Sequence, residues 1–207
     1  EEEAAAPMPS GRLRARMAVL DGKLYAAGGH GGIGGAASYL VERYDLATNA
    51  WEEVAPMATA RLAHAVAVLE GKLYAVGGFN HNNSNLSSVE RYDPATNAWE
   101  AVAPMTTARD SHGMAVLDGK LYAVGGYDDD DGFLSSVERY DSATNAWEAV
   151  APMAAARDSH ATVVLDGKLY VVGGLGTGHN PGGILSSVER YDPALGAWEA
   201  VAPMAAA

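Results

Sequence analysis

Apolar runs too short for helices, each closed by a polar turn, recur along the whole chain, and no stretch sustains a helical period. The clearest example runs from Gly119 to Met153 and the residues just before it. A first run, His112–Leu117, is parted by Asp118-Gly119 from a second, Lys120–Val124, that is almost unbroken in its apolar character. An acidic-Gly pair between two such runs predicts a hairpin with a type I′ turn, because both central residues of that turn need positive φ. Asp21-Gly22, Glu70-Gly71 and Asp166-Gly167 stand at the same place elsewhere. The unbroken second run predicts a strand covered on both faces. A Gly-Gly pair, a loop of variable length and a third strand through Ser136–Tyr140 follow. The next turn reads Asp-x-Ala-Thr-Asn, and the fourth strand, Trp147–Ala151, is closed by Pro152, which cannot donate to a ladder.

This unit occurs four times. The tryptophans are Trp51, Trp99, Trp147 and Trp198, and the Gly-Gly pairs begin at Gly28, Gly77, Gly125 and Gly173. The Val-Glu-Arg-Tyr tetrads end at Tyr44, Tyr92, Tyr140 and Tyr191, and the extra residues of the last copy fall in Leu175–Leu185. Gly196 replaces the asparagine found at Asn49, Asn97 and Asn145, which predicts a left-handed backbone there. Four antiparallel meanders that cannot bury both faces alone must stack, and radial stacking gives a propeller. The expected fold is therefore all-β: one propeller domain over 1–207, with repeats at about 9–57, 58–105, 106–153 and 154–204. A closed four-blade ring is favoured over an arc of a larger ring, because an arc leaves two apolar faces uncovered. Self-association of several chains to complete a ring is a third arrangement.

Composition narrows the partners. The 207 residues carry a formal charge of −12, which argues against nucleic acid or an anionic membrane surface. No apolar run reaches membrane-spanning length, and Glu1–Ala6 is acidic and alanine-rich rather than shaped like a secretory signal. With no cysteine there is no disulfide, thiol nucleophile or cysteine-ligated metal, which fits a cytoplasmic setting, and no cofactor is expected. The sequons at Asn82 and Asn85 read as chance in a loop rich in serine and asparagine.

Gly-Gly after an apolar strand, then Tyr-Asp, then a tryptophan seven residues beyond the tyrosine, as from Tyr140 to Trp147, resembles the kelch repeat. The fuller wording, Leu-Ser-Ser-Val-Glu-Arg-Tyr-Asp and Ala-Pro-Met, resembles the Kelch-like substrate adaptors of cullin-based ubiquitin ligases, over nearly the whole chain. The resemblance implies a kelch propeller that binds a protein or peptide and is not an enzyme. Other kelch propellers are actin-binding proteins, oxidases and sugar mutarotases, and a fold alone does not name its site. The oxidase centre needs a cysteine that this chain lacks. A mutarotase-like enzyme, and an engineered or purely structural repeat with no evolved ligand, are the alternatives. Adaptor propellers usually have six blades, against four copies here, and their BTB domain has no counterpart in these residues. In the adaptors, side chains two residues after the link arginine help to hold a peptide, which carries over to Arg14, Ala63, Ser111 and Ser159. Only the first of these is cationic.

The meander itself says which end differs between copies. Turns one–two and three–four leave one end of each sheet and are nearly identical in every copy. Loops two–three and the blade links leave the other end, and there the copies disagree. Recognition needs difference, so the variable end is the expected binding face. Its candidate partner-binding residues are Arg14, Arg16, His30, Ala63, His81, Asn83, Ser111, Tyr127, Asp128, Asp129, Phe133, Ser159, His179 and Asn180. Arginines on copy one and aspartates on copies three and four make that face electrically uneven, so association should weaken with salt.

Several sharper patterns yield to plainer ones. Asp129, Asp131, Gly132 and Glu138 match part of a calcium-loop spacing, but Tyr127 holds the first position, so the run reads as a solvated acidic loop. His64, His112 and His160 recur at 48-residue intervals and, like Arg12, Arg61, Arg109 and Arg157, read as structural, with no metal expected. The glycine-rich loops lack the strand-to-helix context of a phosphate cradle.

Overall fold

The computed structural model describes residues 4–32, 35–81, 84–177 and 183–205. Among them, four blades form in chain order, each a four-stranded antiparallel meander. Blade 1 holds β1 (Arg16–Leu20), β2 (Lys23–Ala27), β3 (Val41–Asp45) and β4 (Ala50–Val54). Blade 2 holds β5 (Ala65–Leu69), β6 (Lys72–Val76), β7 (Val89–Asp93) and β8 (Ala98–Val102). Blade 3 holds β9 (Gly113–Leu117), β10 (Lys120–Val124), β11 (Val137–Asp141) and β12 (Ala146–Val150). Blade 4 holds β13 (Ala161–Leu165), β14 (Lys168–Val172), β15 (Val188–Asp192) and β16 (Ala197–Val201). The expected strands shift by about one residue at their ends, as strand termini commonly do. No helix long and apolar enough to cross a membrane occurs among the described residues.

The turn chemistry is as the sequence requires. Asp21, Glu70, Asp118 and Asp166 take φ of +50° to +51°, and the glycines after them +68° to +72°. Asn49, Asn97 and Asn145 lie at +49° to +50°, and Gly196 at +62°. The three asparagines do more than tolerate the turn. Each side-chain oxygen accepts the hydroxyl of its own tyrosine, Tyr140 to Asn145 at 2.9 Å for example. It also accepts a backbone N–H from the segment ahead of its blade, Ala6 for Asn49 and the tail of the preceding blade for the other two, as Ala103 to Asn145 at 3.0 Å.

The same tails are held by the tryptophans. Trp99, Trp147 and Trp198 donate Nε1–H to the carbonyls of Ala55, Ala103 and Ala151, and Trp51 donates to Ala6. Residues before blade 1 thus fill the place that an Ala-Pro-Met tail fills between later blades.

Three cores join successive blades. Leu20, Tyr25 and Val41 of blade 1 and Met57 of the link pack on Leu73 and Tyr92 of blade 2, and equivalent sets join blade 2 to 3 and 3 to 4. At their centres Tyr25–Tyr92, Tyr74–Tyr140 and Tyr122–Tyr191 meet at 5.8, 5.8 and 5.9 Å. Strand β1 lies against β5, β5 against β9 and β9 against β13. No core joins blade 4 to blade 1 among the described residues. Val163 and Leu165 on one side, and Met17 and Val19 on the other, stand open to solvent.

The four blades therefore form an arc, not the closed small ring that uncovered apolar area alone would favour. The three interblade contacts repeat one packing pattern, and among the described residues no fourth core of that kind joins blade 4 back to blade 1.

The link arginines brace the arc. Arg61, Arg109 and Arg157 are fully buried; each donates to the first Gly-Gly carbonyl, to a serine of the third-strand approach, and to Glu90, Glu138 or Glu189. The carboxylates in turn accept two backbone N–H groups from the link, as from Thr106 and Thr107 to Glu138. The pairs are sheltered from water, and the carboxylate and both terminal guanidinium nitrogens have partners, which goes far to meet what a buried ion pair requires, although each Nε–H is left without one.

Candidate binding face at the channel mouth

At the variable end each two–three loop folds onto its own blade link. Bridges join Leu13 to His30, Leu62 to Phe79 and Asp110 to Tyr127, while Arg157–Asp158 pairs with Leu175–Gly176. The Gly-Gly pairs make this approach sterically feasible. A Cβ on Gly77 would stand 2.5 Å from the Arg109 carbonyl, and one on Gly125 2.6 Å from that of Arg157. Both glycines of each pair also have positive φ.

The residue two beyond each link arginine is left-handed in every blade: Arg14 at +55°, Ala63 and Ser111 at +50°, Ser159 at +51°. The Ser111 N–H donates to the Ala63 carbonyl at 2.8 Å, and the Ser159 N–H to Ser111 at 2.9 Å. Ala63, Ser111 and Ser159 are thus tied into a backbone collar along the mouth, with Arg14 at the same repeat position. The collar closes Ala63 off from solvent, so the structure withdraws it from the contact set. Arg14 and Ser159 point outward and Ser111 is half-buried, its hydroxyl donating to Asp110.

Beside the collar lies an open cavity of about 620 Å³. Its apolar surface comes from Leu13, Leu62 and Phe79, and its polar edge from Arg14, His30, His81 and Asp110. Three blades contribute. His30 is pinned by Nδ1 to the Gly32 carbonyl at 2.7 Å, and His81 sits edge-on to Phe79 with ring centres 5.4 Å apart. Asp110 accepts from Asn85 and Ser111. Burial is the main influence on its carboxyl and pushes it above the usual carboxylate range; the charges of Asp158 and Asp129 add to this, against those two hydrogen bonds.

The acidic loop of blade 3 is a built hairpin. Tyr127–Asp128 pairs with Gly132–Phe133, and the two aromatic rings meet edge-on at 5.6 Å. Asp128 turns inward. It is buried and its Oδ1 accepts the N–H groups of Asp130 and Asp131, so it shapes the turn and does not face a partner. Asp129, Asp130 and Asp131 carry the exposed charge. Glu138, the acidic residue that would complete a calcium loop, is held by Arg109 and two backbone N–H groups. No group of acidic or histidine side chains fit for a metal ion occurs among the described residues.

Asn85 is the residue that sequence reasoning passed over. Its Nδ2 reaches Asp110 and the Tyr127 carbonyl at 3.2 and 3.1 Å, and its Oδ1 accepts the Asp129 N–H at 3.0 Å. It ties the loop of blade 2 to that of blade 3. The one sequence signal was its place in a sequon, which points to a different role.

Below the mouth, the inner strands border an open axial cavity of about 210 Å³ lined by Arg16, Met17, Val66, Met114, His160 and Thr162 among others. Here His64, His112 and His160 are wedged between blades, with His112 Cε1 3.0 Å from where a Cβ on Gly77 would lie. Burial first, then the neighbouring arginines, lower their pKa: His64 to about 3, His160 to about 4 and His112 well below its ordinary value. They are neutral packing groups at pH 7.

The structure thus gathers Arg14, His30, His81, Ser111 and Ser159 about one mouth, with Tyr127, Asp129 and Phe133 on the adjoining hairpin and Arg16 inside the channel. Asn83, His179 and Asn180 lie outside the described residues.

Comparison with known proteins agrees with this architecture. No curated protein matches the sequence. Among solved structures, that of YjhT is similar over 98% of this chain and 74% of its own, with a TM-score of 0.83 and 19% sequence identity. At that identity the likeness shows the fold alone. A family model, the Attractin/LZTR1 beta-propeller, matches residues 24–207. With its four meanders, its Gly-Gly, Tyr-Asp and Trp positions and that match, the chain belongs to the Attractin/LZTR1 beta-propeller family and has a kelch-like propeller fold.

Proposed function

We propose that the chain is a non-enzymatic scaffold that binds a protein or peptide at the channel mouth, in the manner of a ubiquitin-ligase substrate receptor and in a cytoplasmic setting. The observation that carries this reading is the 620 Å³ cavity, built from three different blades and lined in part by side chains, Arg14, His30 and Phe79 among them, that differ between repeats. An apolar floor with a few charged and hydrogen-bonding groups at its rim suits an anchoring side chain. The net charge of −12 supports a protein partner over nucleic acid or membrane. The repeats at about 9–57, 58–105, 106–153 and 154–204 serve as its blades, and the uncovered faces of blades 1 and 4 are where self-association would complete a ring.

The test is selection of peptides from a displayed library, followed by calorimetry on the best binder. Phe79→Ala and Leu62→Asp should weaken it at least tenfold, about 1.4 kcal/mol, while Asp166→Asn at the opposite end should leave it unchanged. Binding that survives both cavity changes and is lost on altering the opposite turns would place the site elsewhere. Turnover of free sialic acids above the uncatalysed rate would favour a mutarotase-like enzyme instead.

A further inference from the structure

Three times along the chain one blade covers the next in the same way, so each uncovered face has covered counterparts to compare with. Tyr25, Tyr74 and Tyr122 are 1% exposed, and Leu20, Leu69 and Leu117 are buried beside them against the following blade. On blade 4 the same two positions hold Tyr170, half-buried, and Leu165, exposed. On the other side of the blade, Leu73, Leu121 and Leu169 are fully buried against the preceding blade. In blade 1 that position holds Leu24, half-buried, with Val19 exposed nearby. Each uncovered face is one half of a contact whose other half stands at the far end of the same chain.

The main chain shows the same open pair. The second glycine of each Gly-Gly pair donates its N–H to the link arginine of the next blade. Gly29 reaches the Arg61 carbonyl at 2.8 Å, Gly78 that of Arg109 at 2.9 Å and Gly126 that of Arg157 at 2.8 Å. The N–H groups of those arginines donate back to the carbonyls of Ser38, Leu86 and Leu134. In blade 4 these positions belong to the Gly174 N–H and the Leu185 carbonyl, and neither has a partner among the described residues. In blade 1 neither the N–H nor the carbonyl of Arg12 has one. The Arg12 side chain is only 3% exposed, yet the residue as a whole is half-buried, so what water reaches is its main chain. A free donor and a free acceptor at one end answer a free acceptor and donor at the other.

We infer that a second copy of this chain docks head to tail. Its Arg12 main chain pairs with Gly174 and Leu185 of the first copy, and its Val19 and Leu24 cover Leu165 and Tyr170. The contact made twice closes two copies into a ring of eight blades, within the size range of propellers, whereas three copies would bring twelve. Pairing blade 4 with blade 4 also covers apolar surface. It buries the Gly174 N–H and the Leu185 carbonyl without the Arg12 groups that match them, which costs their desolvation.

Head-to-tail docking sets two tails against each other. Ala6 already holds Asn49 and Trp51 of blade 1, where Ala202 of the docked copy would otherwise lie. Ala202, Pro203 and Met204 are exposed, and this tail gives way. The contact is therefore weak, and dilute chains stand apart with Leu165 open. The inference rests on the proposed function only for the two uncovered faces, not for peptide binding.

The experiment is sedimentation equilibrium of the full chain from about 1 to about 200 µM. The mass should rise from 21.5 kDa to twice that value and no further. Leu165→Asp and Val19→Asp, both at exposed positions, should each raise the midpoint concentration at least tenfold. Mixing the two variants should restore part of the association, because each supplies the face that the other lacks. Phe79→Ala, in the mouth cavity, should leave the mass unchanged, so a failure of peptide binding and a failure of pairing are told apart. A single-chain mass throughout overturns the inference. So does an effect of Leu165→Asp without one of Val19→Asp, which would mean blade 4 on blade 4, and so do particles that grow without limit.

Discussion

Leu117 and Leu165 hold the same position at the end of the innermost strand of successive blades, yet Leu117 is 3% exposed and Leu165 57%. Blade 4 covers Leu117, and nothing in the described structure covers Leu165. Truncating Leu117 to alanine removes buried methyl groups and leaves a cavity, at a cost of about 2–5 kcal/mol. Leu165→Ala should cost no more than about 0.5 kcal/mol, as exposed changes do. Urea unfolding of the two variants checks this. Near-equal losses would mean that blade 4 is covered in solution, and sedimentation of Leu165→Asp against the parent would then show whether a second copy covers it.

The buried Arg109–Glu138 pair should behave unlike the exposed Arg139–Glu148 pair, although both recur in every blade. Glu138→Gln leaves a buried guanidinium unneutralised, and the expected loss is about 3–5 kcal/mol. Glu148→Gln should change stability by less than about 1 kcal/mol, since that pair is partly open to water. A double change, Arg109→Met with Glu138→Leu, should recover part of the loss in chemical denaturation. Equal effects at 138 and 148 would refute the brace.

How far these features could be read in advance depended on whether one repeat contains them. The hairpin turns, the left-handed asparagines and the strand order each reside within one unit, and Gly196 in place of Asn145 revealed the backbone conformation by substitution. Curvature does not reside there. It depends on contacts between units, such as that of Tyr74 with Tyr140 in the next blade, so the choice between ring and arc was not legible. The left-handed collar was hidden for another reason: its residues, Arg14, Ala63, Ser111 and Ser159, include no glycine or asparagine to announce positive φ. Asp128 looked like surface charge because its run is acidic, but the first aspartate of a tight turn is recruited to cap it.

Asn145 should tolerate glycine better than alanine. Both changes remove the acceptor for Tyr140 Oη–H and the Ala103 N–H, each worth about 1 kcal/mol. Alanine must also hold φ near +50°, which adds about 1 kcal/mol that glycine avoids. Thermal unfolding should rank the parent above Asn145→Gly and that above Asn145→Ala. The reverse order of the two variants would show that the turn relaxes out of the left-handed region.

The interblade histidines make stability depend on pH well above the range where carboxylates titrate. His64 has a folded pKa of about 3, against an ordinary value of 6.5. Below pH 6.5 the unfolded chain therefore binds a proton that the folded chain does not, and the folded state loses ground as pH falls towards 3. For His64 alone the loss between pH 7.5 and pH 5 is about 2 kcal/mol. His112 and His160 act with the same sign. The turn aspartates Asp45, Asp93, Asp141 and Asp192 are held below the usual range by their lysines, first by hydrogen bonding. Their contribution is lost only at lower pH, as they protonate, which leaves the upper window to the histidines. Urea unfolding at pH 7.5 and pH 5 should show a steep drop in the parent and a shallower one in His64→Gln. A ring signal of His64 that titrates near pH 6.5 in the folded protein would contradict its burial as a neutral wedge.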